Sequence, residues 1–516
     1  MNIPTRIFPI GIQNFEQLRT LNYVYVDKTD LIYQLTHTNI VYFLSRPRRF
    51  GKSLLISTLK AYFEGKKQLF DGLAMEQLEK DWEAYPVLHL SFATARYNEA
   101  QDLHLFLDDQ LGEWEQQYGI DAPSQSYDLR FKHIIRQAHK QTGKEVVVLI
   151  DEYDAPLLDA GSNEPLRKEL RIIMRKFFSP LKDCTEILRF LFITGITKFS
   201  QMSIFSELNS LYNISMMPQY ATLCGITQAE LLSGFQPEIE ALAAHNEETY
   251  EEAIDHLKRM YDGYHFCDGA EGVYNPFSII NVLTEQRYTS YWYGTGTPTF
   301  LIELLRERKL LLKELEQSQA TVQSFDRSTD TLTDPLPVLY QSGYLTIKGY
   351  RNGIYTLGYP NDEVRYGFLN SLLPSMVGHS QMESEISLIP MMQALETGDL
   401  DACLTRLRAF ISSIPYELKS DNESRFETIC YILFSLMGQF VQTQVKTAAG
   451  RADVVITNAS YVYLFELKVD ATPDEALAQI ESKGYAIPYE AGDRTVVKVG
   501  VCYDSATRTI TQWKGV

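Results

Sequence analysis

The chain has 516 residues, of which 45% are hydrophobic and 22% are charged, so it is long enough to need more than one hydrophobic core. Its formal charge of −18 argues against a protein that coats nucleic acid non-specifically, because such binding draws on many lysine and arginine contacts to phosphates. No apolar run approaches the roughly 18 residues of a membrane-spanning helix, and the first residues lack a signal-peptide pattern. We therefore expect a cytoplasmic protein with no membrane partner.

The six cysteines are scattered along the chain, with no C-x-x-C pair and no histidine at zinc-ligand spacing. This pattern is typical of reduced thiols that pack in the core. We expect neither disulfides nor a zinc site.

The first 230 residues alternate short β-rich runs with helical stretches, which indicates a parallel sheet with helices on both faces. The candidate strands are NIVYFL from Asn39, VLHLSF from Val87, EVVVLI from Glu145, RFLFIT from Arg189 and ATLCGI from Ala221. Several of these runs are apolar throughout, as strands covered on both faces are. The segment EPLRKELRIIMRKFFSPL, from Glu164, has the apolar spacing of an amphipathic helix.

From about Gln228 the pattern becomes helical, interrupted by the aromatic and glycine-rich segment YDGYHFCDGAEGVYNPFS. After Leu336, a helix-like start and two strand-like runs around GYRNG fit a small winged-helix-like unit. The last hundred residues have the pattern of a separate α/β unit. These changes divide the chain into domains 1–230, 231–380 and 381–516, of which the third begins with a helical linker.

The segment FLSRPRRFGKSLL, from Phe43, contains the second half of the phosphate-loop pattern G-x-x-x-x-G-K-[ST], with Arg46 in place of the first glycine. A loop between a buried strand and a helix offers unpaired N–H groups and the positive end of the helix to a polyphosphate. Lys52 would contact the terminal phosphates, and the Ser53 hydroxyl would be a ligand of Mg²⁺. The residues predicted to bind nucleotide here are Arg48, Arg49, Phe50, Gly51, Lys52, Ser53 and Leu54. The side chains of Arg48 and Arg49 either contact phosphates or face solvent.

A second part of this site is predicted at VVVLIDEYDAP, where an apolar strand ends in two acidic residues. Asp151 would hold the Mg²⁺, and Glu152 would orient the water that attacks the γ-phosphate. The alternative is an acidic turn unrelated to nucleotide. On the next strand Thr194 is the best candidate to sense the γ-phosphate, ahead of Thr197 and Lys198, although a threonine there can equally satisfy local backbone groups.

A further acidic pattern lies near the C-terminus, in YLFELKV. Glu466 and Lys468 are two residues apart on a strand and leave it on the same face, and a hairpin would bring Asp453 beside Glu466. Neighbouring carboxylates repel unless a cation such as Mg²⁺ neutralises them, and Lys468 could then position a nucleophile. The alternative is an ordinary cross-strand charge pair.

Several motifs together resemble a known family. The segments YVDKT, SRPRRFGKS, IDEYDAP, GITKFS and YDGYHF with YNPFS are similar to AAA-ATPase-like proteins that carry a PD-(D/E)xK nuclease-like domain at the C-terminus. The resemblance spans nearly the whole chain and includes the arginine-rich replacement of the first glycine. It implies a P-loop NTPase sheet of the ASCE/AAA-like type, a helical and winged-helix-like middle region, and a restriction-endonuclease-like α/β domain.

The resemblance also implies specific roles. Asp453, Glu466 and Lys468 become catalytic residues, of which the two carboxylates bind metal. The supporting residues are Glu423, Gln479 and Tyr485. The implied cofactors are ATP and Mg²⁺, and the implied partner is nucleic acid, with DNA favoured over RNA. Assembly into a homo-oligomer stays open.

Two functions from different classes are compatible with these patterns. The first is a P-loop ATPase coupled to a Mg²⁺-dependent nuclease. The second is a nucleotide-switched signalling or defence scaffold whose nuclease-like domain binds but does not cleave. From Glu417 to Val516 there are 13 acidic and 10 basic residues, so that domain lacks a broadly basic surface and neither function is excluded.

Overall fold

The computed structural model describes most of the chain in fourteen segments. They are residues 6–121, 126–161, 163–197, 204–205, 208, 211–293, 315, 317–321, 324, 335–378, 381–414, 423–437, 442–443 and 453–516. The chain divides into two compact units: Met1–Glu307 with Gln317–Asn361, and Arg308–Glu316 with Asp362–Val516. The domain boundaries 1–230, 231–380 and 381–516 stay a prediction. Among the described residues, no helix combines the length and hydropathy that crossing a bilayer requires.

The first unit is built on a parallel sheet whose described strands have the order β2-β3-β4-β1-β5. These strands are β1 (Val41–Ser45), β2 (Val87–Ser91), β3 (Val146–Asp151), β4 (Leu188–Gly195) and β5 (Tyr212–Asn213). All four pairings are parallel, and every residue of β1 and β3 is buried. The register places Ser45 opposite Gly195 and Ser91 opposite Asp151. The carboxyl ends of these four strands therefore lie along the same side of the sheet.

Helices alternate with these strands along the chain, and the longest of them have the apolar spacing of amphipathic helices. They are α1 (Phe15–Thr20), α2 (Thr29–Thr38), α3 (Lys52–Phe63), α4 (Ala74–Leu78), α5 (Ala100–Gln117), α6 (Tyr127–Thr142), α7 (Ala155–Asp159), α8 (Glu164–Phe178) and α9 (Pro180–Asp183). In α5, Leu103, Leu107 and Leu111 recur every four residues and are fully buried. The helix predicted from Glu164 is confirmed as α8.

One predicted strand is wrong. Of the run ATLCGI only the last residue lies in a strand, β6 (Ile226–Thr227), which pairs antiparallel with β7 (Val273–Tyr274) in a separate small sheet. Gly225 interrupts the run with a φ of +101°, a conformation that a continuous strand does not contain. The fifth strand of the parallel sheet is β5, which pairs with β1.

The rest of the first unit has the predicted helical and winged-helix-like pattern. Its elements are α10 (Gln228–His245), α11 (Tyr250–Tyr261), α12 (Pro276–Glu285), β8 (Ser318–Thr321), α13 (Pro335–Gln341), β9 (Thr346–Arg351) and β10 (Ile354–Gly358). The three strands form an antiparallel sheet in the order β8-β10-β9. The β9-β10 hairpin turns at Asn352 and Gly353, which both have positive φ, as a tight two-residue turn requires.

The second unit begins with helices and ends with a five-stranded mixed sheet. Its elements are α14 (Asp362–Val377), α15 (Gln381–Glu396), α16 (Leu400–Ser413), α17 (Glu423–Met437), β11 (Gln442–Thr443), β12 (Val454–Thr457), β13 (Tyr461–Val469), α18 (Pro473–Ser482), β14 (Thr495–Asp504) and β15 (Thr509–Gly515). The order β11-β12-β13-β14-β15 follows the chain, and α18 connects the parallel pair β13 and β14. The predicted C-terminal α/β unit is confirmed. All six cysteines of the chain are buried and free of disulfides.

Candidate nucleotide and nuclease sites

The loop between β1 and α3, which contains the residues predicted to bind phosphate, has two residues in the left-handed conformation. Arg49 and Gly51 have positive φ, at 67° and 89°, and Gly51 directly precedes the first turn of α3. A Cβ on Gly51 would meet nothing within 4 Å, so the backbone conformation and not the space favours glycine there. Lys52 is 4% exposed, and its Nζ donates to the carbonyl oxygens of Arg46 and Pro47, each at 3.0 Å. The lysine ammonium group therefore lies within the curve of the loop.

The other residues predicted to bind nucleotide differ in exposure. Arg48 and Arg49 are exposed, and the guanidinium of Arg49 lies 4.2 Å from the ring centroid of Phe277. Ser53 and Leu54 are half-buried in the first turn of α3. The first turn of α3 thus has free N–H groups next to the loop, and Ser53 belongs to this turn.

Phe50 is fully buried, which leaves only its main chain for a ligand. Its ring packs edge-to-face on Tyr264 and Phe266, with centroid separations of 4.7 and 5.3 Å. These two rings belong to the motif YDGYHF, which the sequence singled out without a role. The motif therefore supports the phosphate loop from the helical part of the unit.

Two further residues from the helical and winged-helix-like part of the first unit, Trp292 and Gly343, contact the phosphate loop. The Trp292 indole Nε1 donates to the carbonyl oxygen of Arg48 at 3.0 Å. Gly343 has a φ of +90°, and a Cβ built on it would lie 2.8 Å from the Cβ of Pro47. Only glycine allows that approach, so the loop is packed closely along its outer side.

The acidic pair Asp151 and Glu152, at the end of β3, lies at the same site as Lys52. Asp151 is 3% exposed, and its Oδ1 accepts a hydrogen bond from the Thr194 hydroxyl at 2.6 Å. Glu152 has a φ of 48°, a conformation that is uncommon for a residue with a side chain. Burial raises the pKa of Glu152, and the nearby charge of Lys52 opposes that rise. The structure therefore brings together the lysine, both carboxylates and the threonine that the sequence selected.

Asp154 is a member of this cluster that sequence reasoning missed. It is fully buried and accepts hydrogen bonds from the N–H groups of Ile196 and Thr197 and from the Thr197 hydroxyl at 2.6 Å. Burial raises the pKa of its carboxyl group. Its only sequence signal is the fourth letter of DEYD. Thr197 is thus engaged in fixing the turn after β4, while Lys198 lies outside the described residues.

A largely apolar cavity of about 100 Å³ lies beside the start of α3. Gly51, Leu54 and Thr58 line it from the loop and the helix. Lys28 lines it too, and pairs with the carboxylate of Glu230 at 2.6 Å. The cavity adjoins the phosphate loop through the shared residue Gly51.

The C-terminal acidic residues converge as the hairpin predicts. Asp453 precedes β12, and its Oδ2 accepts a hydrogen bond from the N–H of Leu467 at 2.9 Å. On β13, Lys468 Nζ lies 3.2 Å from Glu466 Oε1 and donates to Gln479 Oε1 at 2.7 Å. The side-chain amide of Gln479 donates in turn to Glu466 Oε1. Two carboxylates, a lysine and a glutamine therefore form one connected cluster.

Glu466 is the most strongly perturbed group of this cluster. It is 1% exposed, and its Oε2 has no hydrogen-bond partner among the described residues. Burial first, and then the charge of Asp453, raise the pKa of Glu466 to about 7. Tyr485 is buried next to Gln479, and burial raises its pKa as well. Glu423 is the first residue of α17, and its side chain lies outside the described residues.

Comparison with known proteins identifies both parts of the chain. A family model described as "Predicted AAA-ATPase" matches residues 9–205, and a model of the PD-(D/E)XK nuclease superfamily matches residues 421–513. The uncharacterised protein in the vnfD 5′ region of Azotobacter chroococcum mcd 1 is 37% identical over 520 residues, covering 97% of each chain. The chain belongs to this AAA-ATPase-like family. The resemblance that the sequence motifs indicated is confirmed.

The AAA-ATPase-like protein therefore combines a P-loop fold with a PD-(D/E)XK fold. The ATPase-like domain contains the parallel sheet, and the nuclease-superfamily domain contains the C-terminal mixed sheet. Arg46, in place of the first glycine, donates from its guanidinium to the main-chain carbonyl groups of Ser215 and Tyr220.

We predict that Glu466→Gln makes this AAA-ATPase-like protein more stable at pH 8 when divalent cations are removed with EDTA. The pKa of Glu466 is about 7 in the folded state against an ordinary value of 4.5, so the folded state binds more protons between these pH values. The free energy of unfolding must then fall as the pH rises through that window. The expected gain for the variant is on the order of 1–3 kcal/mol at pH 8, with little difference at pH 4.5.

The measurement is thermal or urea unfolding of wild type and variant at both pH values. Glu490→Gln, at an exposed position of the same unit, is the control and should change neither curve. An unfolding free energy of Glu466→Gln equal to that of wild type at pH 8 would contradict the prediction.

Proposed function

We propose that this chain binds and hydrolyses ATP at the phosphate loop and cleaves nucleic acid, with Mg²⁺, at the C-terminal cluster. The observation that carries the first half is the meeting of Lys52, Asp151 and Glu152 at one edge of a parallel sheet. A buried cation facing two carboxylates across a helix start suits a magnesium-bound triphosphate, because phosphate and metal supply the charges that each side lacks.

The nucleotide would lie along the loop and the start of α3. The N–H groups of the loop and the Lys52 ammonium would bind the phosphates, with Lys52 exchanging its two carbonyl acceptors for phosphate oxygens. The adjoining apolar cavity would bind the base, because Gly51 belongs to the phosphate loop and also lines this cavity. Arg48 is exposed beside the site and contributes charge near Glu152, which supports a role in phosphate binding.

Magnesium fits the donors at this site. Ser53 offers a hydroxyl at the start of the helix, and Asp151 offers a carboxylate of which one oxygen accepts from Thr194. When bound, the cation would neutralise charge on the phosphates. Glu152 has the position to accept a proton from water, and its raised pKa makes it a better base than an exposed carboxylate.

We predict that Thr194→Val slows ATP turnover by about tenfold or more with little effect on ATP affinity. Valine keeps the shape of the side chain but removes the hydroxyl that holds Asp151, so the carboxylate loses its fixed orientation. Steady-state phosphate release and equilibrium ATP binding measure the two quantities. Thr194→Ser retains the hydroxyl and serves as the control. Unchanged turnover in the valine variant would show that Thr194 does not act through Asp151.

The C-terminal cluster supports the nuclease half of the proposal. Asp453 and Glu466 would hold Mg²⁺, which commonly keeps several waters and needs only one or two carboxylates. The unpartnered Glu466 Oε2 is an acceptor that a cation would satisfy. A bound cation would make a coordinated water more acidic. Lys468, held by Gln479, would stabilise negative charge that develops on the scissile phosphate.

One assay tests the proposal directly. Purified protein should release phosphate from ATP and cleave single- or double-stranded DNA only when Mg²⁺ is present, and RNA should be the poorer substrate. The nucleotide-switched scaffold is the second candidate, and it predicts tight nucleotide binding, slow turnover and no cleavage of any substrate. The convergence of Asp453, Glu466 and Lys468 favours the nuclease. A cytoplasmic location and a homo-oligomer belong to the same proposal.

A further inference from the structure

Arg46 is a fully desolvated cation directly after β1. It is 1% exposed, and its guanidinium donates to the main-chain oxygens of Ser45, Ser215 and Tyr220 at 2.9, 2.7 and 3.0 Å. The guanidinium carbon Cζ lies over the ring of Phe266, 4.0 Å from the ring centroid. Carbonyl dipoles and an aromatic face stabilise a buried guanidinium, but none of them carries a net negative charge.

The described part of the chain pairs no carboxylate with this charge. Among the described residues Arg46 forms no ion pair, and its Nε has no hydrogen-bond partner. The ionisable groups that act on it most strongly are Cys224, Tyr340 and Cys267, all buried, and burial raises the pKa of each, so each is neutral at pH 7. Lys52 differs, because carboxylates surround it. A buried cation without a counter-charge is costly, and that cost falls when an anion binds nearby.

The same residue forms part of the phosphate loop. The Arg46 main-chain N–H donates to Gly195 at the end of β4, and its carbonyl oxygen accepts from Lys52 Nζ. The guanidinium is therefore rigidly connected to the group that would contact the terminal phosphates. Its positive charge acts on that position without occupying it.

We propose that Arg46 is a buried electrostatic positioning residue whose counter-charge is the polyphosphate of the bound nucleotide. This inference rests on the proposed nucleotide site and adds a second, hidden cation to it. The arginine replaces the turn-forming glycine with a charge beneath the loop, fixed by the carbonyl groups of Ser215 and Tyr220. A unit charge roughly 10 Å from a counter-charge, at an effective dielectric of about 20, changes affinity by roughly tenfold. Affinity should therefore depend on the number of phosphate charges.

The test is calorimetric titration of the full chain with ATP and with ADP, in Mg²⁺, at low and high salt. Arg46→Met should weaken ATP binding by roughly tenfold and ADP binding by less, and it should flatten the salt dependence. Arg46→Lys keeps the charge while losing part of the hydrogen bonding, and should retain most of the affinity. A purely structural role would weaken both nucleotides equally and would make the lysine variant as poor as the methionine variant. That result would overturn the inference.

A second pair of variants tests the charge without touching Arg46. Cys267 is buried near Arg46 and lies outside the cavity assigned to the base. Cys267→Asp supplies a local counter-charge, while Cys267→Asn has nearly the same shape and no charge. ATP should bind more weakly to the aspartate variant than to the asparagine variant, and equal affinities would contradict the inference. If wild type binds neither nucleotide, the proposed function itself fails. If wild type binds and no variant differs, only the role of Arg46 fails.

Discussion

Lys52→Ala is expected to lower the rate of ATP turnover by about a hundredfold to a thousandfold. It should also remove measurable ATP binding. Lys52 is buried inside the loop, and the positive charge of its ammonium group lowers the pKa of Glu152. Its removal takes away the buried cation that faces Asp151, Glu152 and Asp154, and leaves only the arginines of the loop to balance these carboxylates and the phosphates. Like charges would then repel the nucleotide instead of binding it.

Phosphate release and calorimetric binding measure this effect. Lys60→Ala is a matched control, because Lys60 lies on the same helix, has a side chain that is 42% exposed, and among the described residues forms an ion pair with Glu64 alone, at 3.8 Å. Thermal unfolding of both variants without nucleotide checks that each is folded. Undiminished ATP turnover in Lys52→Ala would refute the assignment of the nucleotide site.

Lys468→Ala is expected to lower the rate of Mg²⁺-dependent cleavage by about a hundredfold or more and to leave ATP turnover unchanged. Lys468 is the only cation seen to contact Glu466 in the described part of the chain, and it also contacts Gln479. Without Lys468, the cluster has no ammonium group to stabilise the negative charge that develops on the scissile phosphate. Gln479 loses the donor that fixes its orientation. The phosphate loop belongs to the other compact unit, so its chemistry should persist.

Cleavage of labelled DNA and phosphate release from ATP, measured on one preparation, separate the two activities. Lys498→Ala is the control in the same unit, because Lys498 lies on β14 and pairs with Glu481 at 2.6 Å. Cleavage by Lys468→Ala at the wild-type rate would disprove the nuclease assignment. Cleavage by neither protein, with ATP binding intact, would support the nucleotide-switched scaffold.

The partners of the phosphate loop could be predicted because parallel strands end at one edge of a sheet. Once β1 and β3 were recognised as buried parallel strands, Lys52 and the acidic pair at the end of β3 were expected at the same end of the sheet. The C-terminal cluster followed from the two-residue period of a strand, which puts Glu466 and Lys468 on one face. The wrong strand at ATLCGI shows the limit of such reasoning, because apolar composition carried no sign of the turn at Gly225.

By itself, then, the sequence determined the fold class, the phosphate loop, the acidic pair and the E-x-K strand, since each depends on local periodicity and on chain order. Only the tertiary structure decided where Arg46 points, because its acceptors Ser215 and Tyr220 are 169 and 174 residues away in the chain. It likewise decided that the aromatic motif YDGYHF packs on Phe50. Contacts between distant segments depend on how elements pack around a shared core, and a single sequence does not encode that packing in any local pattern.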